Sequence, residues 1–224
     1  YRQSGDPDAV DPAIREHIGG LEWLREGPAA PEPVTCEAEY RPVSTTLFLT
    51  NTCNLRCTYC YARSGNFRPV TMPMDIARSA VDLVLRNTLE NKAPAYIGFH
   101  GGGEPTCAWD VLKGVVEYAR GQCEDPKRVA FGMATNGVMS PEKATYIARH
   151  LNLVTLSFDG PPDIQNAQRP KVDGSESYDD VVAFIGTLRE HKTPYVVRCT
   201  VTDLNVERLP ELVDFFTETA PGAL

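Results

Sequence analysis

Three cysteines with close spacing are the residues of this chain with the clearest chemical potential. Cys53, Cys57 and Cys60 lie in the segment 49–61, LTNTCNLRCTYCY, directly after an apolar run. Cysteine thiolates are the usual ligands of iron–sulfur clusters, and a four-iron, four-sulfur (4Fe-4S) cluster normally takes four of them. Three cysteines leave one iron without a protein ligand. The spacing therefore predicts a 4Fe-4S cluster whose open iron can bind a molecule that is not protein.

Closed metal sites and disulfides are the alternatives for these cysteines. A structural zinc ion usually has four protein ligands, and His100 is the one candidate that we consider for the fourth position. A ferredoxin-type cluster would use a nearby fourth cysteine, but the next one after Cys60 is Cys107. The odd number of seven cysteines disfavours a disulfide framework. The open cluster is therefore favoured, and zinc is the next alternative.

The composition restricts the environment and the partners of the chain. With 224 residues, of which 42% are hydrophobic and 23% charged, the chain can bury a substantial core. The net charge of −8 disfavours nucleic acid as a partner, because phosphate binding depends on clustered Lys and Arg. No apolar run approaches the roughly 20 residues of a membrane-spanning helix. We therefore expect a cytoplasmic protein without a nucleic-acid or membrane partner.

The beginning of the chain differs from the rest. A helix is predicted over residues 11–25, because Asp11 is a suitable N-cap and Pro12 suits the first helical position. Four prolines between residues 27 and 42 prevent regular structure and indicate a linker. We expect a helix-and-linker segment over 1–42 and a core domain over 43–224.

From residue 45 onward, short apolar segments alternate with longer amphipathic ones, which is typical of parallel strands joined by crossover helices. The predicted strands are 45–50, 95–100, 129–135, 151–158 and 195–202, and the predicted helices are 75–87, 110–120, 141–150, 179–191 and 206–217. Such an α/β chain forms either a barrel or an open doubly wound sheet, and in both the ligands bind at the carboxyl ends of the strands.

Polar and glycine-rich segments follow the predicted strands at the ends where ligands bind. The three-cysteine loop follows the first strand, and the run 101–105, GGGEP, follows the second. Thr135-Asn-Gly137 ends the third strand, and Ser157-Phe-Asp-Gly-Pro161 ends the fourth, with Arg169 on the loop beyond. Because these segments collect at one edge, the arrangement predicts an active site independently of the cysteines.

Each of these residues also has a simpler interpretation. The glycine run lets the backbone approach a ligand, but it is also typical of a tight turn. Arg169 can bind a carboxylate with two hydrogen bonds and Ser157 can bond a hydroxyl or carboxylate oxygen, whereas an exposed Arg usually makes a weak ion pair. Glu104 can orient the loop or a ligand, or remain solvated. Asp159 precedes a glycine, and such a pair commonly forms a turn without chemical function.

The remaining cysteines are interpreted as packing residues. Cys199 falls within the fifth predicted strand, Cys123 near a helix end and Cys36 in the linker, where a small apolar side chain suffices. Cys107 lies at the predicted active edge, two residues after Pro105, and is placed to meet a substrate, although packing is favoured there as well.

On the residues above, the chain resembles the radical S-adenosylmethionine (SAM) superfamily over about residues 45–216. Cys53-x3-Cys57-x2-Cys60 is similar to its cluster motif, and the segment 102–105, GGEP, is similar to its motif for the amino group of the methionine part of SAM. Thr135-Asn-Gly137, Ser157 and Arg169 resemble the branch that modifies peptides and proteins, which includes sulfatase maturases and maturases of ribosomally made peptides (SPASM-type proteins).

The resemblance implies the cofactors and the roles of the site residues. The implied cofactors are a 4Fe-4S cluster and SAM, with the three cysteines as metal ligands and catalytic residues. Ser157 and Arg169 would contact the ribose or carboxylate of SAM, and Tyr59 would contribute backbone bonding to adenine. The full set of implied cofactor-binding residues is Tyr59, Gly102, Gly103, Glu104, Asn136, Ser157 and Arg169.

The resemblance also implies a fold and a reaction. The expected fold is a partial (β/α)6 TIM-like barrel, here truncated after the fifth strand–helix unit, and relatives usually continue into a cysteine-rich extension with auxiliary clusters. The expected reaction is reductive cleavage of SAM to a 5′-deoxyadenosyl radical, which takes hydrogen from a peptide or protein side chain and leads to crosslinking or another maturation. The implied electron source is an external flavodoxin-like or ferredoxin-like one-electron donor.

Other functions remain open at this point. One is formylglycine formation of the anaerobic sulfatase-maturase type, and another is a radical SAM reaction on a small molecule. A non-enzymatic alternative is a module whose cysteines bind zinc or a cluster for structure or electron relay.

Overall fold

The computed structural model of the chain describes residues 40–91 and 93–223. The chain divides into two compact units, Tyr1–Tyr40 and Arg41–Leu224, and the description below concerns the second. The predicted helix 11–25, the linker up to residue 39 and Cys36 lie outside the described residues.

Five parallel strands form a single sheet in which the spatial order follows the chain order. The strands are β1 Ser44–Phe48, β2 Ala95–His100, β3 Val129–Thr135, β4 Leu153–Ser157 and β5 Tyr195–Arg198. A doubly wound sheet reverses its strand order at a switch point, whereas a barrel adds each strand beside the preceding one. The order β1-β2-β3-β4-β5 therefore corresponds to a partial barrel and resolves the choice that the sequence pattern left open.

The helices are α1 Met74–Asn91, α2 Trp109–Gly121, α3 Pro141–His150, α4 Pro162–Gln168, α5 Tyr178–Glu190 and α6 Leu209–Thr219. Five of them match the predicted helices within a few residues. The short helix α4 was not predicted, and α6 begins at Leu209 after a single 3₁₀ turn, Val206–Arg208. Pro210 suits the start of α6, because proline is tolerated in the first helical turn. None of the helices in the described ranges is long and apolar enough to cross a membrane.

The helices cover one face of the sheet, and the other face lines the interior of the partial barrel. On β2, Ile97 and Phe99 are buried toward the helices, and the ring of Phe99 stacks with that of Phe131 on β3 at 6.3 Å. Burying a side chain of this size stabilises the fold by about 1.5–3 kcal/mol. The alternation of a strand places Tyr96 and His100 on the opposite, interior face. Thus the apolar pattern of the strands orients their polar ends toward one interior edge.

Two predicted strands extend too far. β4 is limited to Leu153–Ser157, because Asn152 bonds Phe131 through its backbone N–H and its side chain instead of continuing a regular ladder. β5 ends at Arg198, and the amide N–H of Thr200 turns to the Asp159 side chain. Residues predicted as strand ends therefore belong to the site.

Candidate active site

The loop that carries Cys53, Cys57 and Cys60 follows β1 and is held by a second segment of backbone. The N–H of Arg56 donates to the carbonyl of Pro170 at 2.8 Å, and the N–H of Thr58 donates to the carbonyl of Gln168 at 2.9 Å. Leu55, between the first two cysteines, is 1% exposed and anchors the loop in the core. The three thiols are free and half-buried, and all three line one cavity. The loop is therefore fixed by backbone contacts rather than by a metal.

The surroundings of the three thiols differ. Burial raises the pKa of Cys53, and it raises the pKa of Cys57 to about 11. Burial also acts on Cys60, but hydrogen bonds from the backbone and hydroxyl of Ser64 outweigh it, so the pKa of Cys60 is lowered. Each of the first two thiols also feels the charge of neighbouring thiols. Three thiolates this close would repel one another, so a bound cation or cluster is the natural means to stabilise them.

The spacing of the thiols matters for the kind of metal that they can hold. In residues 40–91 and 93–223, no three His, Cys, Asp or Glu side chains are grouped so that they could hold one metal ion. A mononuclear zinc site needs each sulfur at about 2.3 Å from the same ion. The spacing of the thiols therefore does not support zinc, and it suits a cluster with several metal atoms.

A cavity of about 310 Å³ lies between the cysteine loop and the carboxyl ends of the strands. All the predicted site residues line this cavity, together with residues that were not predicted. Its walls include Cys53, Cys57, Cys60, Tyr59, Gly102, Gly103, Glu104, Asn136, Ser157 and Arg169, and also His100, Arg198 and Thr200. The structure thus brings together residues that are separated by more than 100 positions in the sequence.

The glycine run after β2 is shaped by close backbone approaches. A Cβ atom at Gly103 would lie 2.1 Å from the carbonyl oxygen of Thr52, and one at Gly101 would lie 1.9 Å from the carbonyl oxygen of Gly103. The amide of Gly103 donates to the carbonyl of Thr50 at 2.9 Å, which joins the run to the cysteine loop. At Gly102, by contrast, the Cβ direction is open. Two of the three glycines are therefore required by contacts within the chain.

The Glu104 carboxylate is buried, with 2% of the residue exposed, and it is bonded from four directions. Its Oε1 accepts from the backbone N–H and the hydroxyl of Thr106 and from the hydroxyl of Thr135, at 2.8–3.1 Å. Its Oε2 accepts from the amide of Asn136 at 2.8 Å. Burial raises the pKa of Glu104, although these hydrogen bonds oppose the change. Glu104 therefore ties the end of β2 to the end of β3.

Asn136 connects the end of β3 to the cysteine loop. Its Nδ2 donates to the Oδ1 of Asn54 at 2.8 Å and lies 3.7 Å from the Sγ of Cys53. Its Oδ1 accepts from the amide of Val138, and Asn54 donates in return to the carbonyl of Val138 at 2.7 Å. This arrangement holds Cys53 and directs a donor at its sulfur.

Asp159, interpreted from sequence as a turn residue, is the centre of a buried polar network. It is 0% exposed, and its Oδ2 accepts from Arg169 Nε at 3.1 Å and from Gln168 Nε2 at 3.1 Å. The Tyr59 hydroxyl donates to the same oxygen, and Arg169 Nε also donates to the Tyr59 hydroxyl at 2.7 Å. The Thr200 amide donates to Oδ1 at 3.0 Å. The carboxylate thus joins the cysteine loop, the loop after α4 and the end of β5.

The network changes the interpretation of Arg169 and Tyr59. Burial alone would lower the pKa of Arg169, but the Asp159 carboxylate outweighs it and the pKa is raised. Burial and the nearby carboxylate also raise the pKa of Tyr59, although Arg169 opposes this. The Nε of Arg169 is therefore occupied within the protein, and only its remaining guanidinium nitrogens are left to face the cavity. The tyrosine hydroxyl is likewise committed to Asp159.

Arg198 and His100 face the cavity without internal partners, and the sequence analysis did not assign either to SAM. Arg198 pairs in register with Ser157 on the interior face, and none of the ion pairs among the described residues involves it. Burial leaves the Nδ1 of His100 without a hydrogen-bond partner in that part of the chain. The alternation of β5 was the available signal, because Val196 and Arg198 share one face.

The other cysteines are placed as follows. Cys123 packs against the core after α2, as predicted. Cys199 lies beyond the end of β5, where its thiol contacts the Asp159 carbonyl at 3.4 Å, so its assignment to the strand was wrong. Cys107 is exposed and does not line the cavity, although burial of its sulfur and the charge of Glu104 raise its pKa to about 11.

A five-stranded partial barrel with three neighbouring thiols on the loop after β1 defines an α/β protein suited to hold an iron–sulfur cluster. The chain belongs to the radical SAM superfamily, because the model of that family matches residues 47–216. A 4Fe-4S cluster and SAM are the characteristic cofactors of this family.

Several characterised relatives are similar to the chain. It is 27% identical over 169 residues to the cysteine-type anaerobic sulfatase-maturating enzyme of Clostridium perfringens, covering 74% of this chain and 46% of the relative. It is 30% identical over 174 residues to the mycofactocin maturase of Mycolicibacterium smegmatis, covering 76% and 40%. The chain spans about half the length, or less, of these relatives.

A solved structure shows the same architecture. The structure titled native anSMEcpe with bound AdoMet is matched with a TM-score of 0.70 at 26% identity, over 79% of this chain and 49% of that chain. The same protein with bound AdoMet and Cp18Cys peptide is matched with a TM-score of 0.66 at 26% identity, over 78% and 47%. The predicted partial barrel and its family are thus confirmed.

The described residues fit the cofactors of the family. Three free thiols line a cavity of about 310 Å³, and Asn136 directs an amide donor at one of them. Open backbone at Gly102 and unpartnered polar groups at Arg198 and His100 face the same space. The donor set is soft sulfur on one side and polar groups on the other, as a cluster beside a charged, polar molecule requires.

Proposed function

We propose that this chain is the core of a radical SAM enzyme that takes a hydrogen atom from a side chain of a peptide or protein substrate. The similarity to a sulfatase-maturating enzyme and to a peptide maturase supports this substrate class. The match to a structure with bound AdoMet and peptide gives further support.

The observation that carries the proposal is the shared cavity. The thiols of Cys53, Cys57 and Cys60 line the same space as Ser157 and Arg198, which stand at the carboxyl ends of the strands. A cluster held by three thiols has one iron for an outside ligand. A ligand at that iron would reach the strand ends without leaving the cavity.

When bound, the cluster and SAM would supply the reductive cleavage that produces a 5′-deoxyadenosyl radical. The residues of the chain then have three tasks. The cysteines hold three irons, Asn136 orients Cys53, and the interior walls position the reactants and keep water away from the reacting atoms.

The contacts to SAM are assigned from what is free in the cavity. Backbone groups of Gly102 and Gly103 would meet the amino group, with Glu104 positioning this turn through its bonds to Thr106, Thr135 and Asn136. Ser157 would bond the ribose or carboxylate. Because the Nε of Arg169 is occupied by Asp159 and Tyr59, Arg169 would contact SAM only through its other nitrogens. Arg198, which lacks an ion-pair partner in the described ranges, is then the more suitable carboxylate anchor.

Production of 5′-deoxyadenosine tests the proposal. The protein would be loaded anaerobically with iron and sulfide, then supplied with dithionite and SAM. We expect 5′-deoxyadenosine from the wild type and none from Cys57→Ala. Cys123→Ala is the matched control, because Cys123 packs outside the cavity, and it should retain the activity. A cluster-loaded wild type that forms no 5′-deoxyadenosine would contradict the proposal.

Peptide substrates distinguish the kind of maturation. The similarity to the sulfatase-maturating enzyme favours formylglycine formation as a second candidate. Mass spectrometry of a cysteine peptide from a sulfatase would show replacement of the thiol by an aldehyde in that case. A precursor peptide that loses two hydrogens would indicate a crosslink instead. If neither peptide changes while small molecules do, the peptide substrate class is contradicted.

A further inference from the structure

The outer side of the cysteine loop carries an unusual distribution of charge. Residues 40–74 contain four arginines and no Asp or Glu, although the chain as a whole has a net charge of −8. Three of these arginines surround the loop, with two aromatic residues between them. We call this surface, formed by Arg56, Tyr61, Arg63, Phe67 and Arg68, the arginine face.

The side chains of the arginine face point to solvent. Arg63 and Arg68 are exposed, and neither takes part in an ion pair in residues 40–91 and 93–223. Tyr61 is 77% and Phe67 is 61% exposed. Exposed large aromatic side chains beside unpaired arginines are typical of a surface that binds another protein.

The arginine face is held in a fixed conformation. The Nη1 of Arg56 donates to the carbonyls of Cys53 and Leu55 at 3.1 and 2.9 Å. Gly65, with φ of +97°, leaves room for this guanidinium, since a Cβ there would lie 2.3 Å from its Cζ. Asn51 bonds the carbonyl of Arg68 at 2.9 Å and fixes the outer strand of the loop. A preorganised surface loses less entropy when a partner binds.

The cysteine loop is a thin wall between two spaces. On its inner side lies the cavity that contains Ser157 and Arg198. On its outer side lies a separate recess of about 330 Å³, lined by the same three cysteines and by Arg56 and Arg63. A partner on the outer side would approach the cysteines closely without entering the inner cavity.

We infer that the arginine face is the docking surface for an acidic one-electron donor protein of the flavodoxin or ferredoxin kind. This inference rests on the proposed function, because only a cluster at the three cysteines would need such a donor. Opposite charge steers two proteins together and fixes their orientation. In the transfer, the reduced donor loses one electron and the cluster gains it, and no bond forms or breaks. A peptide substrate must instead reach the inner cavity, where hydrogen is taken.

Binding is the first test, and it needs no turnover. The double variant Arg63→Glu/Arg68→Glu would be compared with wild type for binding of an oxidised, acidic recombinant flavodoxin, with and without reconstituted cluster. We expect association to be slowed roughly tenfold or more at low salt, and the difference to shrink as salt screens the charges. The control is Arg189→Glu, on the exposed side of α5, which should bind as wild type does.

Two sources of electrons separate this inference from the proposed function. With dithionite, the double variant should form 5′-deoxyadenosine at the wild-type rate, because a small reductant needs no docking surface. With reduced flavodoxin, the same variant should be at least several-fold slower than wild type. If wild type is inactive with dithionite, the proposed function fails, whereas the binding result stands by itself.

Several results would overturn the docking surface. Equal flavodoxin binding by wild type and the double variant would do so. So would an equal loss with dithionite and flavodoxin, which would show that the arginines support the cysteine loop instead. Weaker binding of an acidic substrate peptide with unchanged flavodoxin binding would assign the face to the substrate.

Discussion

Two buried carboxylates support the edge of the barrel in different ways. Glu104, at the end of β2, is bonded by neutral donors, namely two hydroxyls and two backbone amides. Asp159, at the end of β4, is paired with the cation Arg169 and also accepts from Tyr59. Neutral donors remain satisfied when one of them is lost, but a buried cation without its partner is costly. We therefore expect the Asp159 network to be the less tolerant of the two.

The largest effect is expected from removing the charge of Asp159. Asp159→Ala leaves Arg169 buried without a counter-charge, which typically costs about 3–5 kcal/mol of the free energy of unfolding. Urea denaturation followed by circular dichroism measures this change. Asp203→Ala, on an exposed residue in the nearby loop, should stay within about 0.5 kcal/mol.

A double variant sharpens this result. If the cost comes from the stranded guanidinium, Asp159→Ala/Arg169→Met should be more stable than Asp159→Ala, because the double variant buries no unpaired charge. An additive loss in the double variant would show that the two side chains act independently and would contradict the paired network.

A smaller effect is expected at the other carboxylate. Glu104→Gln keeps one oxygen acceptor but turns an NH₂ group toward one of the donors, so the expected loss is about 1–3 kcal/mol of the free energy of unfolding. The measurement is the same denaturation experiment. A loss larger than that of Asp159→Asn would reverse the comparison between the two carboxylates.

The glycine run tests how rigidly the Glu104 side is built. Gly103→Ala places a methyl group 2.1 Å from the Thr52 carbonyl oxygen, which should cost about 1–3 kcal/mol of stability through overpacking. Gly102→Ala is the matched control, since its Cβ direction is open, and it should cost less. Equal losses in thermal denaturation would mean that the Thr52 contact is not what requires glycine.

The arginines on the Asp159 side are expected to separate by role. Arg198→Met should leave stability nearly unchanged and weaken the binding of SAM to the cluster-loaded protein about tenfold, the equivalent of one charged hydrogen bond. Arg169→Met should mainly destabilise the fold. Calorimetric binding and urea denaturation of both variants measure the two effects. Unchanged SAM affinity in Arg198→Met would contradict its role as the carboxylate anchor.

The smallest effect is expected away from both carboxylates, where Arg120 bonds the Nδ1 of His150 at 2.6 Å. Burial, Arg120 and Arg149 lower the pKa of His150, while Glu117 opposes them. A depressed histidine pKa means that the unfolded chain binds the proton more readily. The folded state should therefore lose stability as the pH falls below about 6.5, the ordinary histidine value. His150→Gln should flatten that part of the pH profile in denaturation experiments, and an unchanged slope would contradict this.

The elements of the fold were largely predictable because each depends on a local pattern. Apolar alternation located β2 and β3, and N-capping residues and prolines located α3. The short helix α4 escaped prediction, because seven residues carry too little periodicity to identify a helix. The ends of β4 and β5 were also misplaced, since their last residues bond side chains from other loops.

The site was predictable where residue type and spacing define the chemistry. The three cysteines and the glycine run are local motifs, and the cavity contains all of them. Asp159 was missed because Asp followed by Gly is also a common turn, and Gly160 does adopt a positive φ of +141°. Its role depends on Tyr59, a hundred residues away. Likewise, Arg198 is an ordinary strand residue until β5 pairs beside β4.

By itself, the sequence determined the class of chemistry, because three thiols within one loop constrain the metal that they can hold wherever the loop lies. It also determined the order of strands and helices, through local patterns of apolar residues. Only the tertiary structure decided which charged groups are occupied within the protein and which remain for a ligand. The reason is physical: the energy of a buried charge depends on the partners that folding brings to it, and those partners come from distant parts of the chain.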